Sequence, residues 1–133
     1  MAPILGCMSI LDDLVHQAMA IPAISSAAIF TGKPGVPGLD LGAAAGVEGA
    51  ALNGLIAAVQ NPLHPVAQAM TDAAPSFDVA PMNPGGPALR SHLPLGGLGV
   101  VALAHDASLS PEARQALQAI AKSAEAAIRQ TGG

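Results

Sequence analysis

A chain of 133 residues with a net charge of −4 is long enough to bury a real core and reads as a single domain over 1–133. Hydrophobic residues make up 51% and charged residues 11%, with no Trp, no Tyr and two Phe (Phe30 and Phe77), so the core must be built from Ala, Leu, Ile, Val and Met. The five basic residues (Lys33, Arg90, Arg114, Lys122, Arg129) form no stripe and have no Tyr or Trp beside them, which argues against nucleic acid, and no apolar run approaches the ~20 residues that span a bilayer.

Cys7 is the sole cysteine, so no intrachain disulfide is possible. Neither a basic region nor a long apolar stretch precedes it as in a signal peptide, and the expected location is the cytoplasm. Ser9 is placed to cap a first helix, with Asp12 three residues on. Ile10, Leu11, Leu14, Val15, Ala18 and Met19 then make one apolar stripe, and Pro22 stops the helix. Residues 23–31 read as a strand and residues 32–38 as a Pro/Gly loop. Residues 39–45 fit either a weak strand or the lead-in to a helix. Residues 48–60 form that helix, with Leu52, Leu55, Ile56 and Val59 on one face. Residues 65–70 fit a short edge strand, and 71–87, with four prolines, a long irregular loop.

The clearest signal is a hairpin. Residues 88–95 and 98–105 flank Gly96-Gly97, a pair that tolerates the positive φ of a tight turn. Ser110 then caps a last helix with Pro111 at its first position and Glu112 in its first turn. Leu117, Ile120, Ala121, Ala124 and Ile128 form its apolar stripe. The expected fold is α+β: an antiparallel sheet with the N- and C-terminal helices packed on one face, GAF/PAS-like or profilin-like in outline.

A two-residue turn sets Leu95 opposite Leu98. One face then carries Leu89, Ser91, Leu93 and Leu95 with Leu98, Val100, Ala102 and Ala104, and packs on the helices. The other carries Arg90, His92 and Pro94 with Val101, Leu103 and His105. This mixture of apolar floor and polar donors fits a small-molecule pocket. Arg90 and His92 are the expected orienting groups, Phe77, Asp78 and Met82 the contribution of the 71–87 loop, and Val101 and Leu103 the floor. A slip of one residue would exchange the two faces and remove this argument.

Over residues 89–128 the sequence resembles GAF domains. The shared pieces are Arg90-Ser91, Leu93-Pro94-Leu95, the strand from Leu98 to Leu103, and Ser110-Pro111-Glu112 before the last helix. The resemblance implies a six-stranded antiparallel sheet, a pocket on one face, dimerisation through the terminal helices, and sensing or regulation more often than catalysis. The chain lacks the Asn-Lys-Phe-Asp-Glu motif of members that bind cyclic nucleotides and the several cysteines of those that reduce methionine sulfoxide. The ligand therefore stays an unidentified small molecule, and no cofactor is assigned. The leading expectation is a homodimeric regulatory domain that binds a small ligand. A non-catalytic interaction or dimerisation module resembling roadblock/LC7-like domains is the alternative. The few charged residues fit self-association in either case.

Catalysis ranks lower. No phosphate loop, dinucleotide motif or paired metal-ligand spacing is present. Ser91 adjoins His92, but neighbours along a strand point to opposite faces and cannot form a dyad. His92 and His105 are placed on one face but well offset, leaving haem or metal ligation as a minor alternative.

Overall fold

The computed structural model describes residues 2–21, 23–32, 39–46, 49–61, 68, 75–79 and 89–132. In chain order the elements are α1 (Ala2–Met19), β1 (Ile24–Thr31), β2 (Asp40–Ala45), α2 (Gly49–Ala58), β3 (Ser76–Val79), β4 (Leu89–Pro94), β5 (Gly99–His105) and α3 (Pro111–Gly132). The strands form one sheet in the order β2-β1-β5-β4-β3, every neighbouring pair antiparallel. The described sheet has five strands, one fewer than the family resemblance implied.

α1 and α3 pack on one another and on the same face of the sheet. Leu11, Leu14, Val15 and Ala18 of α1 meet Leu117, Ile120, Ala121 and Ala124 of α3 above Ala27, Ile29, Leu93, Val101 and Leu103. Each large aliphatic side chain fully buried here contributes about 1.5–3 kcal/mol. The abundant alanines let the helices sit close to the sheet. The two apolar stripes follow the expected spacing except at Ile10, which is 44% exposed. α1 also starts seven residues before the expected cap, so Ser9 lies inside the helix. The cap of α3 is as expected: Ser110 Oγ accepts the Ala113 N–H at 3.1 Å.

On the opposite face, α2 and the turn after it bring Leu55, Ile56 and Val59 against Ala28, Phe30, Leu39 and Val100. Gln60 Nε2 donates to the Leu39 carbonyl at 2.6 Å and ties this layer to the start of β2. The 39–45 segment is thus resolved as a strand, because Leu41 and Ala44 pack in this second layer. The extra residue Gly42 interrupts its pairing with β1 and separates the faces of Leu41 and Ala43.

Two expectations are corrected. The edge strand β3 lies inside the segment read as irregular. The sequence offers little sign of it, since Ser76–Val79 is short and lies between Pro75 and the run holding Pro81, Pro84 and Pro87. The 65–70 strand, the 32–38 loop beyond Gly32 and Met82 lie outside the described residues, apart from Gln68, which is helical.

The second correction is the hairpin register. Gly96 and Gly97 do take positive φ (66° and 84°), and Leu98 N–H closes the turn on the Leu95 carbonyl at 3.2 Å. Leu95 N–H, however, donates to Gly99, not Leu98, and the Leu98 carbonyl accepts Gly32 N–H at the end of β1. Leu98 is therefore an extra residue, and the pairs are Leu93↔Val101, Ser91↔Leu103 and His92↔Ala102. The slip leaves the faces of β4 as expected and reverses those of β5. Its physical reason is volume. Val101 and Leu103 now fill the space between sheet and paired helices, and the small Ala102 and Ala104 go to the other side.

Candidate functional site

The register distributes the expected site residues over both faces of the sheet. Arg90 and His92 lie on the α2 side of β4, opposite Ala104 and Ala102. His92 is buried and Arg90 half-buried, with Arg90 Nε enclosed and without a hydrogen-bond partner among the described residues. Val101 and Leu103 are buried in the core under the helices, so they cannot floor a pocket beside Arg90 and His92. Phe77 and Asp78 also turn toward the helix side. Phe77 packs against that core, and the Arg114 guanidinium stands 5.0 Å from its ring centroid.

β3 aims Asp78 through a bulge. Ser76 pairs with His92 and Val79 with Arg90, so two residues of β3 oppose the single Ser91. Asp78 takes the left-handed conformation at φ 57°, which aspartate tolerates better than most residues. Its Oδ1 accepts the Leu109 N–H at 3.1 Å, and its Oδ2 accepts from Arg114 Nη2. Desolvation pushes the Asp78 pKa up. The Leu109 N–H, the Arg114 hydrogen bond and the Arg114 charge outweigh it, so the carboxyl titrates below its ordinary value.

The same corner holds a polar chain that the assumed register concealed. His105 Nδ1 lies 2.8 Å from the Ala107 carbonyl. A carbonyl only accepts, so Nδ1 carries the proton. Nε2 then accepts from the Ser91 hydroxyl at 2.8 Å, and Ser91 Oγ accepts the Asp78 N–H at 3.3 Å. Asp78 Oδ1 is 4.0 Å from His105 Nδ1. Every member is satisfied by the neutral imidazole, as buried polar groups require.

His105 thus faces the helices and His92 faces away, so the two do not share a side of the sheet. Ser91 carried one sequence signal: it is the lone polar residue in the row Leu89, Leu93, Leu95. Its partner could be found only with the correct register.

A serine that donates to a histidine of this tautomer is the arrangement that activates a nucleophile. Here both residues are 0% exposed, so no substrate reaches the hydroxyl. The group acts instead as a staple joining β3, β4, β5, the following loop and α3. Among the described residues, no three His, Cys, Asp or Glu side chains come together as a metal site, and no helix is long and apolar enough to cross a membrane.

No protein-family model matches the chain, and none of the curated proteins searched does either.

Proposed function

We propose that this chain is a GAF-like regulatory domain that binds a small anionic molecule on the α2 side of β4 without turning it over. The observation that carries the reading is Arg90. It is a half-buried cation in no ion pair among the described residues, set beside buried His92 over the small side chains Ala102 and Ala104. A partly desolvated guanidinium favours a carboxylate or phosphate, which it can hold through two hydrogen bonds. Thermal-shift titration with inorganic phosphate and with acetate, on wild type and on Arg90→Ala, tests this. Stabilisation of wild type that is lost in the variant is expected. No stabilisation at millimolar anion, or equal stabilisation of both proteins, overturns it.

A second reading, the roadblock/LC7-like interaction module, is favoured by α2. This helix has no charged residue, and Leu52, Leu55 and Ile56 are only half-buried. The terminal helices turn Asp12, Asp13, His16, Gln118, Lys122 and Arg129 outward, which makes α2 the better seat for a second copy. Sedimentation velocity separates the readings. A stable dimer indifferent to anions supports the module, and a monomer excludes it.

A further inference from the structure

β3 is the shortest strand and lies at the sheet edge. Among the described residues it is paired through its main chain to β4 alone, where Ser76 meets His92 and Val79 meets Arg90. Its remaining polar attachments among the described residues converge on one residue. Asp78 bonds the Leu109 N–H that precedes α3, the Arg114 guanidinium of α3, and, through its own N–H, Ser91 of β4. Phe77 adds a packing contact beneath the same guanidinium.

We propose that β3 is a detachable strap, held to α3 by the charge on Asp78 and able to open as a unit separate from β1, β5 and β4. β1 and β5 are paired on both sides by strands other than β3 and lie under two helices, so they retain their protection when the edge is lost. Among the described residues, the charged and titratable groups facing the carboxylate are Arg114 from α3 and His105 from β5; β4 presents only the uncharged Ser91. The folded pKa of Asp78 is lowered, so its contribution is complete above the unfolded value of about 3.9 and is lost as pH falls through the folded value. The strap is therefore closed at neutral pH and released by acid. Its release frees the edge of β4 beside Arg90 and His92, whether or not a ligand binds there.

Amide hydrogen exchange of the full chain tests the strap. In Asp78→Asn at neutral pH, the amides of Ser76–Val79 are expected to exchange about ten- to a hundredfold faster than in wild type, the worth of the charged hydrogen bonds removed. Protection in β1 and β5 stays unchanged. Wild type keeps its protection from neutral pH down to about 4 and approaches the variant only as pH falls further, after correction for intrinsic exchange. Arg114→Gln keeps the carboxylate and its bond to Leu109, is expected to give a smaller increase, and carries the test if Asp78→Asn does not fold. The strap is overturned if β3 exchange is unchanged in the folded variants, or if protection is lost across β1 and β5 in step with β3.

Discussion

Removing the Ser91 hydroxyl isolates the buried staple from everything else in the fold. In Ser91→Ala, His105 Nε2 loses its donor and the Asp78 N–H loses its acceptor. His105 is 0% exposed, so water cannot replace the lost partner at that nitrogen. A buried orphan costs about 1–3 kcal/mol. The Asp78 amide sits in a less enclosed place and costs less, so the total is about 2–3 kcal/mol. For a domain of this size that is a fall in Tm of roughly 6–15 °C. Urea denaturation with an unchanged slope measures it directly. The companion variant Ser91→Ala/His105→Leu removes both buried polar groups and fills the ring volume, leaving the Ala107 carbonyl and the Asp78 N–H without these partners but no orphan at the buried imidazole. Its loss should be smaller than the sum of the single variants by about 1 kcal/mol or more. A change below about 0.5 kcal/mol in Ser91→Ala, the range of ordinary surface substitutions, would refute the reasoning, as would strict additivity.

Two further substitutions probe the hairpin and its helix. A Cβ on Gly99 would stand 2.1 Å from the Phe30 carbonyl oxygen, a backbone atom that cannot swing away, so Gly99→Ala is expected to cost about 3 kcal/mol or more in chemical denaturation; near-normal stability would mean that β1 and β5 are not packed this closely. Ser110→Ala removes the cap on the Ala113 N–H and should lower stability by about 0.5–2 kcal/mol, with reduced exchange protection confined to the first turn of α3.

Much of the fold was legible because its signals are local. The stripes of α1 and α3, the Ser110-Pro111 cap, the Gly96-Gly97 turn and the alternation along β4 each depend on residues a few positions apart. The candidate site was less legible. Arg90 and His92 could be set on one face from the alternation of β4 alone. The floor beneath them could not, because it belongs to β5 and depends on one hydrogen bond, Leu95 N–H to Gly99. The staple was hidden for the same reason: the expected register put His105 on the side away from Ser91. β3 escaped notice because four residues set between Pro75 and a proline-rich run carry no usable period.

The sequence by itself determined the order of the helices and of strands β1, β4 and β5, the apolar faces of the terminal helices, and the side of β4 on which Arg90 and His92 stand. All of these follow from periods of two and of 3.6 residues. Only the tertiary structure decided the pairing of β5. A two-residue loop and a loop with one extra residue place the same glycines at the turn. The choice between them depends on where volume is needed, and that is known only once α1, α3 and β1 are in place. With them present, Val101 and Leu103 fill the core, Leu98 answers Gly32, and His105 meets Ser91.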